Sequence, residues 1–89
     1  MEAPVPDIRQ LGRAIAEIRE EDGVPGETLA REANVDPAHL NRAENHGRNL
    51  TWETLGALAE NLGVPISRFV LRAEEIARGD AQGTRERGE

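Results

Sequence analysis

Eighty-nine residues with a hydrophobic fraction of 37%, one Phe, one Trp and no Tyr make a single small domain with a modest aliphatic core, and the net charge of −6 argues against a general polyanion binder. The absence of Cys excludes disulfides and thiolate metal sites. No apolar run reaches the length that spans a bilayer, and "MEAPVPD" lacks the apolar stretch of a signal peptide, so a cytoplasmic protein without membrane association is expected.

In chain order, residues 1–6 hold two prolines and read as a flexible arm. Asp7 with Gln10 has the spacing of a capping box, and Ile8, Leu11, Ile15 and Ile18 then recur at helical steps as far as Gly23. Glu20, Glu21 and Asp22 oppose the dipole at that helix's end, so the end is expected to fray or to serve another purpose. A second helix is expected from Gly26 to Ala33, with Leu29, Ala30 and Ala33 inward and no side-chain cap at Pro25. Asn34 suits a left-handed turn and Val35 plugs it. Asp36 then caps a third helix that opens with Pro37 and runs to Glu44, with Leu40 and Ala43 inward.

The stretch "NHGRNLT", residues 45–51, reads as a polar loop. Thr51 caps a fourth helix carrying Leu55, Leu58, Ala59 and Leu62, stopped by Gly63. Trp52 at its start could sit near a phosphate or pack in the core, and the core is expected, as for a large apolar side chain in a small domain. Ile66, Phe69, Val70, Ala73 and Ile76 mark a fifth helix, and residues 79–89 lack apolar periodicity and read as a disordered tail. The domain proper is therefore residues 7–78, all-α with five helices. The second and third helices, within about residues 26–44, are joined by a short turn and make a helix-turn-helix.

All eleven basic residues are Arg, and they are unevenly set against the acids. Residues 1–36 carry four Arg against nine acids, whereas residues 37–49 carry two Arg, one acid and both His. That second stretch is the one part of the chain that is not acidic, and a local patch of this kind can still dock DNA. It coincides with the third helix and the loop after it.

The ordered pieces "LGRAIAEIRE", "ETLAREANVD", "LNRAE" and "LTWETLGALAENLGVPISRF" resemble the phage-repressor and Cro type of helix-turn-helix, the XRE family, over roughly residues 8–71. The resemblance rests on Leu29-Ala30, Asn34-Val35, Glu44 and Leu62-Gly63-Val64 standing in order without a gap. It implies a lambda-repressor-like DNA-binding domain, a regulator of transcription that acts as a dimer and lays its third helix in the major groove of double-stranded DNA. Carried over, the base-reading positions are Pro37, Ala38 and Arg42, with His39 and Asn41 beside them. Arg42 can present its fork to guanine O6 and N7, and Ala38 can meet a thymine methyl. The loop residues Asn45, His46, Arg48 and Asn49 would meet phosphates. The sequence departs from the family at Gly26, where a phosphate-binding Gln is usual, at Pro25, where a capping Ser is usual, at Pro37, in place of a polar reader, and at His46-Gly47, where the loop Gly comes one place late.

Bland roles compete at several positions. Arg42 could be a solvent-facing surface Arg, and Arg48 a simply exposed one. His39 and His46 lack the partners for a metal site, so no metal or other cofactor is expected. Glu44 reads as an anchor for backbone groups of the following loop. The acid cluster Glu17, Glu20, Glu21 and Asp22 reads as a solvated end, or as a surface for an Arg-rich partner. Nothing in the chain arranges a nucleophile, a base and an oxyanion site, so an enzyme is not expected. Apolar surface on the fifth helix points to a homodimer through Ile66, Phe69, Val70 and Ile76, with Leu71 alongside. The competing reading is a protein-interaction module on the same scaffold, antitoxin-like or regulator-binding, that has lost DNA contacts at Gly26 and Pro37.

Overall fold

The computed structural model describes residues 4–87, with side-chain surroundings as far as Gln82. Residues 1–3 of the expected arm, and the last two residues of the expected tail, lie outside that range. Five helices follow one another: α1 (Ile8–Glu21), α2 (Gly26–Glu32), α3 (Pro37–His46), α4 (Trp52–Leu62) and α5 (Ile66–Arg87). No strand occurs among the described residues. The starts follow local chemistry. Asp7 and Gln10 form the reciprocal capping box of α1, with distances of 2.8 and 2.9 Å. Asp36 accepts from the Ala38 and His39 amides at 2.8 and 3.3 Å, and Thr51 accepts from Thr54 at 3.1 Å.

Three of the helix ends share one device. At Gly23-Val24, Asn34-Val35 and Gly63-Val64, a left-handed residue closes the helix with φ of 70°, 60° and 71°. The following Val donates its amide five residues back, to Arg19, Ala30 and Ala59, at 3.1, 2.7 and 3.0 Å. Each Val side chain then packs against the core. The chain thus uses one two-residue unit to stop a helix, turn, and pin the turn to the interior.

That interior joins all five helices. Ile15, Ile18, Leu29, Leu40, Leu58 and Phe69 are its largest fully buried side chains. Phe69 is 0% exposed and Ile76 8%, so both belong to the core of one copy and are unavailable to a dimer surface as expected from sequence. The reason is register. Phe69, Ala73 and Ile76 lie on the face of α5 that covers α1, while Val70 and Leu71 are turned away, 40% and 57% exposed. Ile66 is half-buried against the core.

Four further expectations need correction. Asn45 and His46 are the last turn of α3 rather than loop, because the left-handed stop falls at Gly47. Trp52 is 72% exposed, since it opens α4 where the helix has not yet reached the core. The end of α1 does not fray: Arg72 of α5 holds Glu21 at 2.7 and 3.0 Å and Glu17 at 3.2 Å, with Arg68 also near Glu21 at 3.8 Å. The Arg-rich partner of those two acids is the chain's own fifth helix. Finally, α5 does not stop at Gly79. It continues to Arg87, and Asp80 is tied back to α1 by Gln10 at 3.0 Å and Arg13 at 3.3 Å.

Candidate nucleic-acid interface

The third helix has two opposed faces. Leu40, Ala43 and Glu44 are buried inward. Ala38, Asn41, Arg42 and Asn45, at i, i+3, i+4 and i+7, are all exposed and form a stripe down the opposite side. Pro37 and His46 are exposed at its two ends, and His39 is half-buried at its edge. Arg48 and Asn49 are exposed just past the helix, with Asn49 left-handed at φ 61°. The structure therefore gathers the nine sequence-expected positions along one helix and its exit.

Two contacts fix that helix on the body. Gly12 of α1 faces the α3 backbone so closely that a Cβ there would collide with the Ala43 carbonyl oxygen, and the Gly–backbone contact lets the helices approach. Arg19 of α1 grips Glu44 with Nε at 2.7 Å and Nη2 at 3.1 Å, and its Nη1 donates to the Val24 carbonyl at 2.8 Å. The hydrogen bonds that Arg19 donates to the Glu44 carboxylate hold the guanidinium pKa above its ordinary value. Glu44 is thus an anchor, but its partner is a side chain of α1 rather than the backbone of the loop. Sequence reasoning missed Arg19, because a partner 25 residues away is set by tertiary packing.

The exit from α3 is equally tight. Gly47 has φ 68°, and a Cβ there would sit 2.7 Å from the carbonyl of Ile8. Its left-handed conformation ends α3, so Asn45 and His46 belong to the helix's last turn. Asn45 Nδ2 donates to the Asn41 carbonyl at 2.9 Å, which orients the end of the stripe. Position 26 has open space only as far as Arg19, whose guanidinium carbon would lie 3.7 Å from a Cβ there.

The charges divide by use. Arg13, Arg19, Arg68 and Arg72 are engaged with carboxylates of the fold. Arg42 and Arg48 pair with no carboxylate among the described residues, and neither do Arg9, Arg31 and Arg78. Arg31 borders a shallow depression with Asn34, Asp36 and Pro37 at the start of α3, an exposed cation next to the stripe that the sequence reading left out. No group of three or more His, Asp or Glu among the described residues is placed to hold a metal ion. No described helix is long and apolar enough to cross a membrane.

A chain of five helices with a helix-turn-helix and an outward polar third helix defines a class, and comparison with known proteins gives its family. The sequence matches the family model described as helix-turn-helix over residues 15–69. The chain belongs to that family, the XRE-type helix-turn-helix proteins, a family of DNA-binding transcriptional regulators. Among solved structures it is similar to the clp gene regulator ClgR from Corynebacterium glutamicum, with TM-score 0.82, 28% identity, and coverage of 94% of this chain and 92% of that one. It is also similar to the restriction-modification controller protein C.AhdI from Aeromonas hydrophila, with TM-score 0.68, 25% identity, and coverage of 71% and 96%. A third likeness is to C.Esp1396I bound to a 25 base pair operator site, with TM-score 0.68, 30% identity, and coverage of 78% and 92%. No curated protein sequence matches the chain.

Proposed function

We propose that this protein regulates transcription by binding a short operator as a homodimer, with α3 laid in the major groove. The observation that carries the proposal is the stripe of Ala38, Asn41, Arg42 and Asn45, an exposed face on a helix whose other face is fixed to α1. In this reading Arg42 contacts a base, Ala38 offers apolar contact, and Pro37, His39 and Asn41 line the groove. Asn45, His46, Arg48 and Asn49 meet the sugar-phosphate backbone and set the register. A structural relative solved on operator DNA supports this use of the fold.

Two copies suit the task, because one helix contacts too few bases to select a site. A two-fold pair places two reading helices on half-sites about 34 Å apart, one turn of DNA. Val70 and Leu71 of α5 are the surface we assign to that pairing, with the edge of Ile66. Ile8, 48% exposed, borders the same groove as Val70 and extends the apolar surface onto α1.

The test is fluorescence anisotropy of a labelled duplex from upstream of the protein's own gene, against a scrambled duplex, at two salt concentrations. The expected result is salt-dependent preference for the upstream duplex. Arg42→Ala should weaken that binding by about 1–3 kcal/mol and relax selection at one base pair. Equal affinity for both duplexes at low salt would reject the operator reading and turn attention to a protein partner.

A further inference from the structure

Trp52 is the chain's single Trp, and it stands 72% exposed in the first turn of α4. The backbone beneath it is well fixed. Thr51 caps the helix by accepting from the Thr54 amide at 3.1 Å, and the two Thr hydroxyls meet at 3.0 Å. Leu50 is packed against the core, and the left-handed residues Gly47 and Asn49 fold the connection from α3 back on itself. The indole is therefore held out in solvent by a structured stalk that begins where the candidate DNA interface ends.

Its neighbours identify what it meets. Asn45, His46, Arg48, Asn49 and Thr51 are all exposed and polar. The stretch from Asn45 to Trp52 holds no carboxylate, in a chain with 17 acids. An indole that anchors a protein contact sits at the centre of an apolar patch sealed by a rim. Trp52 lines neither of the grooves that hold the exposed Val5, Ile8 and Val70. A polar stretch leading into the indole, with Arg48 and no carboxylate, fits a polyanion, and an indole offers that partner an apolar plate and one N–H donor. Glu53, the next residue, projects about 100° further round the helix.

We propose that Trp52 is a contact to the DNA backbone. Its ring lies on a deoxyribose and its Nε1–H donates to a phosphate oxygen, beside the phosphates met by Arg48. The contact is independent of sequence and extends the protein's footprint beyond α3. This inference rests on the DNA-binding proposal above.

The lone indole reports directly on it. Acrylamide quenching of Trp emission is measured on the intact protein with and without duplex, while anisotropy of the labelled duplex reports binding separately. The free protein should quench readily, and duplex should shield the indole. Trp52→Ala should weaken the upstream and scrambled duplexes alike, by about threefold to tenfold, leaving their ratio unchanged. Because the side chain is exposed, the variant should keep the helical signal and melting temperature of the parent. Duplex bound with quenching unaltered and Trp52→Ala indistinguishable from the parent would overturn the inference alone. Absence of binding to any duplex would overturn the DNA proposal with it. Shielding that grows with protein concentration and needs no DNA would assign Trp52 to a protein interface and overturn it too.

Discussion

Arg19 directs its guanidinium inward, where Glu44 and the Val24 carbonyl take up its donors, and both charged side chains are largely removed from water, at 13% and 8% exposed. Such a pair adds little net stability compared with a well-packed apolar pair, but losing one partner strands the other charge. Glu44→Ala is therefore expected to destabilise the fold by about 3 kcal/mol in urea unfolding. The double variant Arg19→Met/Glu44→Leu should recover most of that loss, and a double variant as unstable as Glu44→Ala would show that the pair itself, not the stranded charge, sets the stability. At this scale the sequence was legible where a residue acts on its near neighbours. Asp7, Asp36 and Thr51 cap as their spacing says, and Asn34 turns left-handed as its side chain allows. It was illegible where the partner is distant in sequence, as for Arg19 with Glu44, or where a large apolar side chain was taken for a buried one, as for Trp52.

Helix α5 carries the largest disagreement with the sequence pattern. Its apolar periodicity ends at Ile76, yet the helix continues for about another three turns. Its first added turn is held by polar contacts that no hydrophobic pattern records, from Asp80 to Gln10 and Arg13. Gly79 did not stop the helix, because it has no left-handed φ and no Val follows it to pin a turn, unlike Gly23 and Gly63. The α1–α5 seam is therefore part apolar, part ionic. Arg72 holds the Glu21 carboxyl below its ordinary value of 4.5, and Gln10 with Arg13 does the same for Asp80 below 3.8. A depressed folded value means stability that is complete above the ordinary value and lost as pH falls through the depressed one. Melts from neutral pH down to about pH 2 should show a fall in melting temperature that begins as pH reaches the ordinary carboxylate values and continues below them. Both carboxylates are exposed, so high salt should shrink that fall. In the Glu21→Gln/Asp80→Asn variant the acid-induced fall should be smaller than in the parent; an identical fall would place its origin in other carboxylates.

Across the whole molecule, an acidic body presents a small neutral-to-basic face, and the fold devotes most of its free apolar surface to another edge. The family and the order of the helices could be inferred from sequence, because α1 to α4 each end at a left-handed stop signal. The pairing surface proposed above could not, since Phe69 and Val70 are adjacent in sequence and only packing decides which one turns inward. Two substitutions separate those roles. Phe69→Ala should cost about 3–5 kcal/mol of protomer stability through the cavity it leaves. Leu71→Glu should leave protomer stability within about 0.5 kcal/mol while keeping the protein at monomer mass in sedimentation. A Leu71→Glu protein that still sediments as a dimer would move the pairing surface off α5. On the proposed reading, the opposed faces of α3 have a practical consequence for changing what the protein selects. Ala38 and Arg42 take no part in holding the fold together, and Asn41 and Asn45 bond only within their own helix. Their letters can be rewritten without disturbing the inward Leu40, Ala43 and Glu44 that moor the helix. The scaffold is thus a fixed chassis with a replaceable cassette, and a library varied at those four positions should yield folded proteins that differ chiefly in the DNA they choose.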